Sequence, residues 1–293
     1  MKAIGVATDS HSGILIEEAR RLGVLLLPMP FYVDDQCYYE EVSLTREKFF
    51  EEQNAGKRVS TSQPSPESVM EFWREGLKEY EQLLYIPMSS GLSGACHTAM
   101  MLAEEPEFEG KVFVVDNGRI STPLHRSILD ALELIEEGHD AEEIKHILEI
   151  SKDQMTIYLA VETLEFLKKG GRITPATAAI GSLLNIKPVL KLDVGVLETY
   201  RKCRGMKKAR REMLEAMKQD FATTFRDAYE KNEIYLMAAS SADEAVTESW
   251  IQEIREFFPG MDILCDKLSL GISCHTGEGA LGIGCSCKPK SGR

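Results

Sequence analysis

No run of the 293 residues is long and apolar enough to span a bilayer, so stable membrane insertion is not expected. Positive charge is scarce. The 34 Lys and Arg stand against 47 Asp and Glu, a formal net charge of −13, which argues against non-specific attraction to nucleic acid or to an anionic membrane surface. The start, Lys2 to Thr8, reads as a strand and lacks the basic stretch, apolar core and small-residue cleavage site of a signal peptide, so a cytoplasmic protein is expected. The 7 cysteines are an odd count scattered along the chain, which is not a disulfide framework. Cys285 and Cys287 lie near Cys274 and His275, but no matching second pair or closely spaced histidine completes a structural site, and no metal is expected. Internal repeats and low-complexity segments are missing too.

What is present is an alternation of strand and helix. Strands are expected at Ile4 to Ala7, Val24 to Leu27, Leu83 to Ile86 and Val112 to Val115. Between them come helices at Ile14 to Leu22, from Pro66 and near Ser93, with a long polar excursion before Pro66. That order implies parallel strands with crossover helices. Apolar stripes at Leu124, Ile128, Leu129, Leu132 and Ile135, then at Ile144, Ile147 and Leu148, add two more helices. A first α/β domain is thus expected over 1–155.

The remainder, 156–293, reads as a second α/β domain with a mixed sheet. Its expected elements are a strand Thr156 to Val161, a helix Thr163 to Lys169, a Gly170-Gly171-Arg172 turn and an alanine-rich segment Pro175 to Leu184. Strands around Asp193-Val194-Gly195 suggest an antiparallel hairpin. One long helix from Met206 to Lys231 follows, then strand Ile234 to Ala239, helix Glu244 to Phe258, strand Met261 to Leu264 and a glycine-rich end.

Two hydroxyl-rich loops carry the strongest chemical signal. Thr61-Ser62-Gln63-Pro64-Ser65 and Ser89-Ser90-Gly91-Leu92-Ser93-Gly94 each precede a helix, where hydroxyls and free backbone N–H groups suit a carboxylate or phosphate. Ser65, followed by Pro66 and Glu67, has the composition of an N-cap. Thr61, Ser62 and Ser93 admit either role, helix cap or ligand contact, and the residues alone do not choose.

Thr8-Asp9-Ser10 ends the first strand. A phosphatase-type nucleophile would want a second acid two residues on, where His11 stands, so Asp9 and Ser10 are read as partners of loop and helix-end amides. Arg172 reads as a solvated arginine near a helix end, and His275 as a structural histidine beside a glycine turn. The segment Cys274 to Gly282 lacks the lysine and spacing of a nucleotide P-loop. Ser93 with His275 could form a nucleophile and base, but the Gly-x-Ser-x-Gly elbow and an orienting acid are missing. Lys202, Arg204, Lys207, Lys208, Arg210 and Arg211 make a basic stretch in an acidic chain. Such runs are usually solvated helix faces, though this one permits docking of an acidic partner.

These segments, taken in order with Lys169-Gly170-Gly171-Arg172, Lys187-Pro188-Val189-Leu190 and His275-Thr276-Gly277, resemble the DegV family over essentially the whole chain. The resemblance implies a two-domain DegV-like α/β fold: an N-terminal Rossmann-like parallel-sheet domain, a C-terminal domain with a mixed sheet, and a ligand tunnel between them. It implies a lipid-binding protein without turnover of its own and without a cofactor, holding a long-chain fatty acid and presenting its carboxylate to a fatty-acid kinase. By the same resemblance Thr61 or Ser62 and Ser93 hold the carboxylate, His275 and Arg172 lie near the head group, and Arg204 faces the kinase. Two positions depart from the family pattern. Glu278 stands where proline usually follows His-Thr-Gly, and Gly205 where a hydroxyl residue often follows the arginine. The alternative from another class is a serine hydrolase acting on an acyl ester or acyl phosphate through Ser93 and His275.

Overall fold

The computed structural model describes residues 2–179, 186–193 and 196–290. The contacts divide into two units, Met1–Lys152 with Pro289–Arg293, and Asp153–Lys288. The expected turn Asp193-Val194-Gly195 and the end of the alanine-rich segment lie partly or wholly outside the described residues. Within the described residues, no helix is long and apolar enough to cross a membrane.

The first unit begins with β1 (Lys2–Asp9), a short 3-10 turn Ser10–Ser12, α1 (Ile16–Leu22), β2 (Leu25–Leu27), β3 (Pro30–Val33), β4 (Gln36–Tyr39), α2 (Arg46–Asn54) and β5 (Val59–Thr61). It continues with α3 (Pro66–Gly76), β6 (Tyr80–Ile86), α4 (Ala95–Ala103), β7 (Val112–Val114), α5 (Thr122–Glu136) and α6 (Ala141–Ile150). One sheet has the order β2-β1-β6-β7, all parallel. The chain leaves β1 toward β2 on one side and reaches β6 on the other. The strand order therefore reverses between β1 and β6, and in such sheets ligands collect at the carboxyl ends flanking that reversal. Alternation along β1 and β6 sends Val6, Leu84 and Ile86 into a core with α5 and α6, and Ala7, Leu83 and Tyr85 into a core with Trp73 of α3 and Ala99 of α4.

The polar excursion before Pro66 is corrected. It holds a second, antiparallel sheet of order β4-β3-β5 and the helix α2. Strands of three or four residues are too short to set a period, and the buried Phe31 and Phe49, edge to face at 5.5 Å, hold the layer together.

The second unit runs β8 (Met155–Ala160), α7 (Glu165–Gly170), α8 (Pro175–Ala178), β9 (Ile186–Asp193), β10 (Val196–Arg204), α9 (Met206–Ala222), α10 (Arg226–Glu230), β11 (Ile234–Ser240), α11 (Glu244–Phe257), β12 (Ile263–Lys267), α12 (Leu270–Thr276) and β13 (Leu281–Cys287). Its sheet has the order β10-β9-β8-β13-β11-β12 and is mixed: β11 and β12 pair in parallel and the other neighbouring strands antiparallel. The core packs α9 and α11 on this sheet, with the Trp250 Nε1–H donating to the Gly282 carbonyl at 3.0 Å.

Two expectations fail here. The single helix 206–231 is broken at 223–225. Thr223 leaves helical φ/ψ and its hydroxyl donates back to the Gln219 carbonyl at 2.8 Å, while Phe225 turns into the core beside Phe221. The glycine-rich end is also more than a tail, since β13 lies inside the sheet between β8 and β11 with every residue buried. A strand covered on both faces carries no alternation by which to recognise it.

Candidate functional site

The carboxyl ends of β1 and β6 are tied together by side chains from the last two residues of β1. Asp9 is fully buried; its Oδ1 accepts from the His11 N–H and its Oδ2 from the Met88 N–H, both at 2.9 Å. Ser10 Oγ accepts from the Met29 N–H at 3.0 Å, and Thr8 Oγ1 donates to the Ile86 carbonyl at 2.8 Å. Asp9 and Ser10 therefore hold loop amides, as the spacing at His11 suggested.

The two hydroxyl loops meet in the first unit. Gln63 Oε1 accepts from Thr98 Oγ1 at 3.3 Å, and a methyl group built on Gly94 would lie 3.4 Å from the same oxygen. Capping accounts for one of the candidate hydroxyls. Ser65 is the N-cap of α3, its Oγ accepting from the Ser68 N–H at 3.1 Å with Pro66 in the first turn. The N-cap of α4 is Gly94, without a side-chain bond, and Ser93 Oγ accepts from the Ala95 N–H at 3.2 Å. Thr61 closes β5 half-buried, and Ser62 is exposed beside it. Neither Thr61 nor Ser62 is the cap of the helix that follows.

Behind Ser89 to Gly94 lies a segment that sequence reasoning passes over, the β7–α5 loop. Asp116 Oδ1 accepts from the Ser90 N–H at 3.2 Å, and the Arg119 carbonyl accepts from the Ser89 N–H at 2.8 Å. Arg119 has no exposed surface, and its Nη1 donates to Ser127 Oγ at 2.9 Å with Asp130 at 3.8 Å. Asn117 Nδ2 donates to the same Ser127 oxygen at 2.8 Å, and Asn117 Oδ1 accepts from the Arg119 N–H at 3.2 Å. Asp130 also pairs with Arg126 at 2.9 Å. Burial lifts its carboxyl to about 6, with Arg126 and Arg119 opposing the rise and Glu133 adding to it. The signal in the sequence is the run Asp116-Asn117-Gly118-Arg119 directly after an apolar strand.

In the second unit His275 and Arg172 come to one place. A methyl group on Gly170 would lie 2.0 Å from His275 Nδ1, so the imidazole sits where only glycine leaves room. Arg172 Nη1 donates to the Gly170 carbonyl, and Gly171 ends α7 in the left-handed conformation. The following turn is fixed by Ser241, whose Oγ donates to the Gly277 carbonyl at 2.7 Å and accepts from the Ala280 N–H at 2.9 Å. Glu278 is exposed on it.

Arg204 ends the edge strand β10, exposed, just before the positive-φ Gly205 that starts α9. Of the basic stretch, Arg210 pairs with Glu253 at 3.0 Å and Arg211 with Glu215 at 2.5 Å. Lys202, Arg204, Lys207 and Lys208 are exposed and make no ion pair among the described residues.

All seven cysteines are unpaired by disulfides. Burial pushes the thiols of Cys96 and Cys203 up and that of Cys265 to about 11, so these three stay protonated and weakly nucleophilic near neutral pH.

A parallel sheet with its loops gathered at the strand reversal, followed in the chain by a mixed sheet, defines an α/β class of protein. The chain belongs to the DegV family, whose pattern, that of an uncharacterised protein of that family, it matches over residues 3–288. It is 30% identical to a DegV domain-containing protein of Deinococcus radiodurans, across 96% of this chain and 97% of that one. A solved structure concerning fatty acid binding of a DegV family protein from Thermus thermophilus is similar at a TM-score of 0.85 and 34% identity, covering 97% of this chain and 99% of that one. The structure of DegV, a fatty acid binding protein from Bacillus subtilis, is similar at 0.84 and 29%, covering 98% and 100%.

Proposed function

We propose that this protein binds a long-chain fatty acid and offers its carboxylate to a fatty-acid kinase, which phosphorylates it to an acyl phosphate. The observation that carries the reading is the likeness, along nearly the whole chain, to the Thermus thermophilus protein studied for fatty acid binding. The meeting of the two hydroxyl loops supports it: Thr61 or Ser62 and Ser93 are the donors we assign to the carboxylate, with His275 and Arg172 as further head-group residues. Hydroxyls and helix-end amides satisfy a desolvated carboxylate without a full counter-charge, each charge-assisted bond contributing roughly 1.5–3 kcal/mol. The acyl chain contributes about 0.8 kcal/mol per buried methylene, so the tail dominates affinity while the hydroxyls fix which end is presented. Phosphate comes from the kinase, and the protein needs no nucleophile of its own. Arg204, exposed with Lys202, Lys207 and Lys208, is the surface we assign to the kinase.

The test is mass spectrometry of an organic extract from purified, unsupplemented protein, quantified per chain. Close to one fatty acid per chain is expected, and Ser93→Ala should lower affinity by about tenfold or more, the loss of one such bond. An empty extract, with no change in melting temperature on adding fatty acid, would overturn the proposal. Labelling of Ser93 by a serine-directed phosphonate with turnover of an acyl ester would replace it with the hydrolase. Arg204→Glu is expected to abolish phosphorylation by the kinase while leaving lipid binding intact.

A further inference from the structure

Resting on the head-group reading of Ser93, we infer that the β7–α5 loop, Asp116 to Ser121, positions the Ser89 to Gly94 loop for carboxylate binding, with Asp116 and Arg119 as its two positioning residues. The chain of hydrogen bonds is continuous. Asp116 Oδ1 takes the Ser90 N–H and the Arg119 carbonyl takes the Ser89 N–H. From Ser89 the bonds run on to the ligand loop: its carbonyl accepts from the N–H groups of Leu92 at 3.1 Å and Ser93 at 3.2 Å, and its Oγ accepts from the Gly91 N–H at 3.2 Å. The same loop reaches the end of β1, because the Ser121 N–H donates to the His11 carbonyl at 2.8 Å.

What holds the loop is its own burial. A guanidinium with no exposed surface is costly without hydrogen bonds and an opposite charge, and Arg119 donates from Nη1 to Ser127 Oγ and from Nη2 to Ser151 Oγ at 3.5 Å, with the Asp130 carboxylate 3.8 Å from Nη1. Asn117 shares the Ser127 oxygen, so α5 grips two residues of the loop at one point. Ser121 sits at φ 57° and ψ −143°, a conformation L-residues rarely adopt, which persists only where the surroundings over-determine it. A fixed loop presents the Ser93 hydroxyl and neighbouring amides already oriented, so that little ordering is left for the ligand to impose.

The test compares palmitate with methyl palmitate, since the ester shares the tail and lacks the anionic head. Their affinity ratio reads head-group recognition alone. Asp116→Ala removes the acceptor for Ser90, and should lower the acid-over-ester preference by about tenfold. Asp116→Asn keeps an oxygen in the same place and should retain the preference. If Asp116 acted by its charge, both variants would relieve repulsion and bind palmitate more tightly; that result overturns the inference. So does an equal loss for acid and ester in Asp116→Ala, which marks a general structural role. Should Asp116→Ala fail to fold, Ser127→Ala is expected to lower the same ratio, and an unchanged ratio counts against the inference. A wild-type protein that binds palmitate and its ester equally would instead refute the head-group reading, and the positioning role with it.

Discussion

Gly170→Ala is predicted to lose, through one neighbour, His275, at least the stability that the helix itself would gain. Gly170 is the last residue of α7, and its φ is not among the positive ones. A helical alanine is favoured over glycine by about 0.8–1 kcal/mol, so the backbone alone would reward the substitution. The added methyl, however, would lie 2.0 Å from His275 Nδ1, 2.7 Å from Cε1 and 3.2 Å from Cγ. The ring must leave, and overpacking of this kind costs roughly 1–3 kcal/mol. A double-mutant cycle separates the terms. In the presence of His275, urea denaturation should show Gly170→Ala as neutral to destabilising by about 2 kcal/mol, the difference of the two effects. In a His275→Ala background the same substitution should stabilise by up to about 1 kcal/mol, the propensity term alone. Equal effects in both backgrounds would refute the packing argument. Since His275 is proposed at the head group, Gly170→Ala should also weaken fatty-acid binding without removing any contacting residue.

Ser121→Gly should raise stability by about 1 kcal/mol or more, against the usual sign for a glycine substitution, because it relieves the φ 57°, ψ −143° backbone; a lower melting temperature would refute it. Between about pH 4 and pH 6 the folded protein holds a proton on Asp130 that the unfolded chain has released, so this residue's contribution falls as pH rises through that window and is flat above it. The difference amounts to about 3 kcal/mol from a carboxyl lifted from 3.8 to about 6, and thermal scans of Asp130→Asn against wild type should diverge only across that range. Ser65→Ala should cost about 1 kcal/mol of stability as a lost N-cap while leaving fatty-acid affinity unchanged, so that calorimetry showing weakened binding would move Ser65 into the site.

How far the fold was legible tracks how local its causes are. Pro66 after Ser65, Gly171 at the end of α7 and the stripes of α5 and α6 act within a few residues, and the sequence showed them. The β3-β4-β5 layer was hidden because its strands are too short to alternate, and β13 because both its faces are covered. The break after α9 depends on where Phe225 finds the core, which no local pattern declares.

The candidate site divides in the same way. Hydroxyls beside glycines and a proline announce a loop that opens a helix, so Thr61, Ser62, Ser65 and Ser93 stood out without any tertiary knowledge. What orients Ser93 did not, because the support comes from backbone carbonyls and from side chains distant in sequence. Arg119 contributes its carbonyl to Ser89 and its guanidinium to Ser127 and Asp130, and a carbonyl leaves no mark in a sequence. His275 was visible only as a lone histidine near glycines; its meaning depends on Gly170, whose missing side chain makes the space. The ligand-facing chemistry of such a site is therefore written in residue types, while its rigidity is written in burial. A substitution at Asp116 or Arg119 would pass in a stability screen as an ordinary core defect, and only the ratio of acid to ester affinity distinguishes a loosened scaffold from a misaimed hydroxyl.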